Sequence, residues 1–191
     1  RIRQFEAILV HNVNDLKSKK GQMFLKLLYK LKKLKKTKFL GISVYEPIDL
    51  DLALSIFRPD IIQFPLSLLN NTFLGKKTFN KLKNSKAILQ ARSIFLQGLM
   101  IKTKKELTKL KINNKLKLVL YKFINYCNKK KITQLEAALL YLKQLKRIDL
   151  ITVGIDNNEQ LSEIIKIYNS KKRVKLKTFK LNKKYLDPRQ W

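Results

Sequence analysis

The strongest constraint on the fold is a repeated alternation between short apolar runs and longer stretches with helical hydrophobic spacing. The short runs predict strands at residues 7–10, 38–44, 60–64, 87–93 and 149–154. The stretches between and after them predict helices at residues 21–36, 50–57, 72–83, 115–130, 133–146 and 157–168. Buried strands joined by crossover helices are typical of a parallel sheet, so the pattern predicts five βα units of an α/β fold.

The glycines and the strand ends narrow the choice of α/β fold. The five glycines form no G-x-G-x-x-G turn, which argues against a Rossmann-type dinucleotide site. Polar or special residues instead lie at the carboxyl ends of the predicted strands: His11 and Asn12, Ser43, Gln63, Arg92 and Ser93, and Gly154. In a (β/α)₈ barrel the carboxyl ends of the strands carry the active site. Five units and 191 residues are too few to close such a barrel, which typically needs about 250 residues.

Cysteine and histidine usage excludes several classes of protein. The single cysteine, Cys127, allows no internal disulfide, so we expect a reducing, cytoplasmic location. One Cys and one His cannot build a zinc site from these two residue types alone, and we expect no metal. No apolar run approaches the ~18 residues of a membrane span, and no signal peptide opens the sequence, so we expect no membrane partner.

The charge is strongly one-sided. Lys and Arg number 43 against 13 Asp and Glu, which gives a formal net charge of +30. Such a balance suits a polyanion partner, but nearly all of the basic residues are Lys rather than Arg, the side chain adapted to bidentate phosphate and guanine contacts. The sequence carries no nucleic-acid-binding motif. We therefore interpret the lysines as solvated helix faces and keep polyanion binding as an alternative.

Seven segments resemble the aldo/keto reductases in order and spacing. They are ILVHN at 8–12, LGISVY at 40–45, IQFP at 62–65, RSIFLQGL at 92–99, AAL at 137–139, VGIDNNEQL at 153–161 and LDPRQW at 186–191. The resemblance covers essentially the whole chain. It implies a (β/α)₈ TIM barrel of the aldo/keto reductase type, here lacking about the first three βα units, with residues 1–191 forming the C-terminal part of one barrel domain.

The resemblance also implies hydride transfer between a nicotinamide cofactor, NADP or NAD, and a small carbonyl or alcohol substrate. Of the family's catalytic Asp, Tyr, Lys and His, only the His has a counterpart, His11, which would polarise the substrate carbonyl. The other three would precede Arg1, so the sequence is either a fragment of a longer protein or the product of a truncated gene. We expect this piece to be inactive and prone to aggregate through open sheet edges. Neither Tyr45 nor Tyr29 lies in a position to replace the missing Tyr.

Two residues match the positions that hold the nicotinamide carboxamide. Ser43 and Gln63 supply the donors and the acceptor that an amide needs, whereas the family's usual Asn after that Ser is Val44 here. Arg92 stands where many members place a stacking aromatic ring, and it could stack or reach an acidic group. The alternative to a cofactor or substrate role for His11, Ser43 and Gln63 is a purely structural one, in which each polar side chain caps the end of its strand.

The remaining predicted contacts concern the other end of the cofactor. Ser93, with Leu96 and Gln97, matches the loop around the pyrophosphate. Gly154, Asn158, Gln160 and Glu163 match the loop and helix N-terminus that hold the adenosine end, and Glu163 matches a position that contacts adenine. NADP-binding members place Lys or Arg near Asn158 and Gln160, which leaves the choice between NADP and NAD open.

The sequence thus favours an aldo/keto-reductase-like oxidoreductase. The alternative is a basic, non-catalytic protein that keeps the barrel scaffold and binds polyanions, because a fold does not fix a function. Cys127 lies on a predicted helix with no His near it in sequence, and we interpret it as structural.

Overall fold

A computed structural model of the chain describes residues 3–186. The strands are β1 (Phe5–Val10), β2 (Thr37–Ser43), β3 (Ile61–Pro65), β4 (Ile88–Arg92) and β5 (Leu150–Ile151). The helices are α1 (Lys19–Lys33), α2 (Pro47–Ile56), α3 (Lys76–Asn84), α4 (Lys104–Lys109), α5 (Asn114–Lys129), α6 (Gln134–Gln144) and α7 (Asn158–Asn169). Short 3₁₀ helices lie at Val13–Lys17, Thr72–Leu74, Leu99–Ile101 and Lys183–Tyr185. Strands and helices alternate along the chain, as the apolar pattern predicts.

The described residues form two compact units. The first comprises the residues up to Pro65 together with Thr72–Ala91, and the second comprises Leu66–Asn71 and the chain from Arg92 onward. None of the helices in the part of the chain that the structure describes is both long and apolar enough to cross a membrane. Of the LDPRQW segment, all but Leu186 lies outside the described residues.

The first unit is built on parallel strands that follow one another in the order β1-β2-β3-β4. Val10 lies opposite Ile42, and Ser43 lies opposite Gln63, so the strand ends are in register. Ile42, Ile62 and other strand residues are fully buried, which requires cover on both faces of the sheet. The register brings the carboxyl ends of β2 and β3, and hence their last side chains, side by side.

Helix α1 shows how local chemistry sets an element boundary. It begins at Lys19 rather than at the expected residue 21, because the Ser18 hydroxyl caps it by accepting from the Gly21 N–H at 3.0 Å. Gly21 is buried where the helix crosses the preceding 3₁₀ helix. A Cβ at Gly21 would overlap the carbonyl oxygen of Asp15, so only glycine permits this crossing.

The second unit is mainly helical. The Thr133 hydroxyl accepts from the Glu136 N–H while the Glu136 carboxylate accepts from the Thr133 N–H, which forms a capping box at the start of α6. Thr103 and Glu106 form the same box on α4, a short helix that the apolar pattern does not predict. The buried residues of α6, Ala137 to Leu142, form much of the core of this unit.

Strand β5 is shorter than the sequence predicts. The apolar spacing favours a strand over residues 149–154, whereas only Leu150 and Ile151 form one. Thr152 and Gly154 are exposed. Periodicity reports which side chains are apolar, but strand length depends on where a neighbouring backbone offers partners.

Candidate functional site

A cavity of about 660 Å³ lies in the second unit. Its wall is formed by the loop after β4, the start of α6, the chain after β5 and the first two turns of α7. The polar lining comprises Ser93, Gln97, Thr133, Gln134, Thr152, Asp156, Gln160 and Glu163, and Gly98 and Gly154 also contribute. Ser93, Gly154, Gln160 and Glu163, which the sequence assigns to the pyrophosphate and adenosine end of a cofactor, therefore share one cavity.

The loop after β4 has an unusual backbone. Ser93, Leu96 and Gln97 have φ values of 55°, 51° and 53°, and Gly98 has a φ of 80°. For residues other than glycine this region costs roughly 1–2 kcal/mol each. The strained turn places Ser93, Phe95 and Gln97 on the cavity wall, and most of the surface of Phe95 and Leu96 is buried. Such strain clusters where a site must hold a particular shape.

Side-chain hydrogen bonds order the loop that enters α7. The Asn157 carboxamide oxygen accepts from the Gln160 N–H at 2.9 Å, which caps the helix. The Gln160 carboxamide oxygen in turn accepts from the Asp156 N–H at 2.8 Å. Gln160 is therefore held by the backbone, so the cavity wall here is preformed. The exposed N–H groups at the start of a helix suit an anion.

Gln134 is a cavity residue that sequence reasoning missed. Its carboxamide nitrogen donates to the carbonyls of Met100 at 2.7 Å and Lys102 at 3.0 Å. These bonds tie the start of α6 to the 3₁₀ helix Leu99–Ile101. Gln134 has no characteristic sequence context, because its role depends on a contact between segments more than thirty residues apart, and a threonine cap directly before it was the only available signal.

The cavity lining carries an unexpected charge. Asp156 and Glu163 are both on the wall, while no Lys or Arg is among the described lining residues of a chain with 43 of them. Any positive electrostatic potential inside the cavity therefore comes from the partial charges of backbone N–H groups. This composition favours ligand groups that donate hydrogen bonds, such as ribose hydroxyls, over an additional anion.

Ser43 and Gln63 meet in the first unit. The two residues are register partners on β2 and β3, and the Ser43 hydroxyl donates to the Gln63 carboxamide oxygen at 3.1 Å. Ser43 is only 3% exposed. The pair therefore forms a fixed polar group at the carboxyl end of the sheet, and the Gln63 carboxamide nitrogen is the donor that remains after this bond.

His11 lies directly after β1, also in the first unit. Its Nε2 atom is 2.8 Å from the Tyr45 hydroxyl, and the two rings meet edge to face at 5.8 Å. Both residues are exposed. Tyr45, to which the sequence assigns no role, is the side chain that orients the imidazole.

Two predicted site residues lie apart from the cavity wall. Arg92 is half-buried, and its Nη1 atom donates to the Ser93 hydroxyl at 3.2 Å, so it contacts a cavity residue without lining the cavity. Asn158 is the exposed first residue of α7 and does not line the cavity either.

Known proteins match this chain in structure but not in sequence. No protein-family profile matches the chain, and no curated protein sequence matches it significantly. Aldo-keto reductase AKR11C1 from Bacillus halodurans, in its apo form, superposes with a TM-score of 0.65 at 12% identity, over 91% of this chain and 59% of the other. The chain has the fold of part of an aldo-keto reductase barrel.

Two further aldo-keto reductase barrels give the same result. The glycerol dehydrogenase AKR11B4 from Gluconobacter oxydans matches with a TM-score of 0.55 at 16% identity, over 91% of this chain and 63% of its own. MGS-M4, an aldo-keto reductase from a Medee basin deep-sea metagenome library, matches with a TM-score of 0.57 at 15% identity. The match covers 96% of this chain and 58% of MGS-M4. The chain thus spans about three fifths of these barrels, as its five βα units predict.

Proposed function

We propose that this chain is part of a nicotinamide-dependent oxidoreductase that transfers a hydride between NAD(H) and a small carbonyl or alcohol substrate. One observation carries the proposal. Ser93, Gly154, Gln160 and Glu163, named from sequence motifs some sixty residues apart, line a single cavity in a chain with an aldo-keto reductase fold. The holo form of AKR11C1 is among the structures that this fold resembles.

The cavity suits the adenosine-diphosphate half of such a cofactor. Its volume lies within the roughly 300–1,000 Å³ of small-molecule sites. The Ser93 and Thr152 hydroxyls on the cavity wall can donate to phosphate oxygens. Gln160 is already held in place by its bond to the Asp156 N–H, so binding would not need to order it.

In the first unit, Gln63 would offer its carboxamide to the nicotinamide amide, with Ser43 fixing its orientation. When bound, the nicotinamide would supply the hydride. His11, oriented by Tyr45, would donate a hydrogen bond to the substrate carbonyl oxygen and so favour the charge that develops there. No residue of this chain matches the family's Asp, Tyr and Lys, so we propose that this stretch alone binds cofactor without reducing carbonyls.

We further propose that the cofactor is NAD rather than NADP. A 2′-phosphate needs a cationic partner, and the described cavity lining offers the Asp156 and Glu163 carboxylates instead. A carboxylate can accept a hydrogen bond from a ribose 2′-hydroxyl, whereas it repels a phosphate. The lone, buried Cys127 suits a reducing, cytoplasmic location for such an enzyme.

Cofactor binding is testable on the chain itself, because the cavity lies wholly within residues 93–164. Calorimetric titration with NADH and with ADP-ribose is expected to give saturable binding. Gly154→Trp adds a large side chain on the cavity wall, where a Cβ meets nothing within 4 Å, and is expected to abolish binding. Gly75→Trp, the same change at the start of α3, is the control. Absence of binding to the wild-type chain, or equal binding by both variants, contradicts the proposal.

A further inference from the structure

The second unit carries a surface that the proposed function does not use. Residues 171–184, here called the basic strap, run alongside α5 without regular structure until their last two residues. The Tyr126 hydroxyl on α5 donates to the Lys175 carbonyl and accepts from the Lys177 N–H, both at 3.3 Å. The Phe179 ring packs edge to face on Phe123 at 5.6 Å and on Tyr126 at 5.5 Å. The strap is therefore fastened to one side of α5.

Both of the joined segments are free of acidic residues. No Asp or Glu occurs between Glu106 and Glu136, a stretch with eight basic residues that includes α5. None occurs between Glu163 and Asp187 either, a stretch with nine basic residues that includes the strap. The nearest carboxylate contact is Glu136, which pairs with Lys172 at one end of the strap. Packing thus combines two acid-free segments into one continuous basic surface.

The basic side chains are regularly placed. Lys115, Lys122 and Lys129 are exposed and repeat every seven residues, which puts them on one face of α5 at intervals of about 10.5 Å. Lys122 and Lys129 lie four residues before and three residues after Tyr126, so they flank the point where the strap is fastened.

The middle of the strap alternates in burial from Arg173 to Lys177. Val174 and Leu176 are half-buried, while Arg173, Lys175 and Lys177 are exposed. This is the pattern of an extended chain, in which alternate side chains lie about 6.7 Å apart on one side. The strap therefore presents a line of positive charges beside the helical stripe. We name the basic face as these two lines together: Lys115, Lys122, Lys129, Arg173, Lys175, Lys177 and Lys180.

We propose that the basic face binds the phosphate backbone of nucleic acid without sequence preference. A line of Lys side chains neutralises phosphates as point charges and releases counterions, whereas base reading needs the forked donors of Arg, of which this face has one. Val174 and Leu176 of the strap are half-buried, and Leu118 on α5 is an exposed apolar side chain between Lys115 and Lys122. Uptake by an anionic membrane surface needs a broad apolar face, so this arrangement favours nucleic acid. Sequence alone shows scattered lysines; the fastening of the strap to α5 makes them one face.

The test compares two variants that lower the net charge equally. The first changes Lys115, Lys122, Lys129, Lys175 and Lys180 to Gln, none of which has a side-chain hydrogen bond or ion pair among the described contacts. The control changes five lysines of α1 to Gln: Lys19, Lys20, Lys26, Lys30 and Lys33. Binding to a short fluorescein-labelled DNA duplex of arbitrary sequence is measured by anisotropy from low to moderate salt, and circular dichroism melting checks folding.

The basic-face variant is expected to bind at least about tenfold more weakly, with the slope of log K against log salt reduced by about 0.9 for each lost phosphate contact. The control is expected to keep most of the wild-type affinity. Equal losses in both variants would assign binding to net charge and overturn the proposal. So would no binding by the wild type, or stronger binding to phosphatidylserine vesicles than to DNA.

A second measurement does not depend on the variants folding. Lysine acetylation of the wild-type chain, read by mass spectrometry, is expected to fall severalfold at Lys122, Lys129, Lys175 and Lys180 when the duplex is added. The α1 lysines are expected to react unchanged. Protection spread evenly over both sets overturns the proposal. The outcome is independent of cofactor binding, because the basic face and the cavity share no residue.

Discussion

At the scale of single residues, the loop after β4 carries most of the backbone strain near the cavity. Three non-glycine residues and Gly98 have positive φ values within the six positions from Ser93 to Gly98. Only Gly98 adopts this region without a steric cost. The cavity wall is thus held in shape by neighbouring packing, chiefly the buried Phe95 and Leu96, rather than by local preference.

Gly98→Ala tests the backbone cost alone. A Cβ at Gly98 meets nothing within 4 Å, so the expected destabilisation of about 1 kcal/mol comes from the φ of 80°. Gly154→Ala is the matched control, since its Cβ also meets nothing and its φ is not in the strained range. Urea unfolding of both variants measures the difference. If Gly154→Ala lowers the free energy of unfolding as much as Gly98→Ala does, the positive φ of Gly98 is not the cause of the destabilisation.

Asp156 is the residue we expect to set the preference between the two nicotinamide cofactors. Asp156→Lys replaces a repelling carboxylate on the cavity wall by a cation, so the ratio of NADPH to NADH affinity is expected to rise by at least about tenfold. Glu159→Lys makes the same charge change one turn away, outside the cavity lining. Titration of each variant with NADPH and NADH gives the ratio of the two affinities. If this ratio rises equally in both variants, the net charge of the chain and not the position of Asp156 sets the preference.

At the scale of elements, the capping box of α6 connects helix formation with the strap. Glu136 accepts from the Thr133 N–H at 2.8 Å and from the Lys172 ammonium at 2.7 Å. Burial alone would raise the pKa of Glu136, but the Lys172 and Thr133 hydrogen bonds and the Lys172 charge outweigh it, so the pKa lies below its ordinary value. One carboxylate thus caps a helix and holds the start of the strap.

The lowered pKa of Glu136 fixes the sign of a pH effect. A carboxyl group that binds its proton less readily in the folded chain stabilises the fold above its unfolded pKa, and this contribution disappears as the pH falls through the folded value. Glu136→Gln is therefore expected to cost about 1 kcal/mol at pH 7 and progressively less as the pH falls through the lowered pKa of Glu136. Urea unfolding across this pH range measures it, with Glu159→Gln in the first turn of α7 as the control. If the stability lost in Glu136→Gln does not change with pH, the ionised Glu136 carboxylate is not the stabilising group.

At the scale of the whole molecule, the exposed edge of the sheet is the main liability. Strand β1 stands at the end of the strand order among the described residues, and Phe5 on it is 55% exposed. An apolar edge strand offers unpaired backbone groups to other chains. We therefore expect this stretch of chain to aggregate through β1.

Phe5→Lys is expected to slow aggregation severalfold by placing a charge on this edge. Ile48→Lys, at an exposed position on α2 away from the edge, makes the same change in charge and is expected to have little effect. Light scattering at a series of protein concentrations measures both. If the two variants slow aggregation equally, the edge is not the cause.

The sequence by itself determined the alternation of strands and helices, because apolar periodicity and helix caps are local properties. The ends of α5, α6 and α7 lie within a few residues of their predicted positions, and Ser43 and Gln63 meet because parallel strands align their carboxyl ends. The short extent of β5 and the role of Gln134 escaped prediction, since each depends on a partner distant in sequence. Helix α4 escaped because its six residues are too few to show a helical apolar period.

Only the tertiary structure decided which of the predicted residues line one cavity. It joined Ser93 to Gly154, Gln160 and Glu163 in one cavity, and it left Arg92 and Asn158 off the wall. It also fastened the strap to α5 through Tyr126 and so turned scattered lysines into one face. Periodicity reports which side of a segment is buried, but not against which other segment, and that choice is made by packing across long stretches of chain.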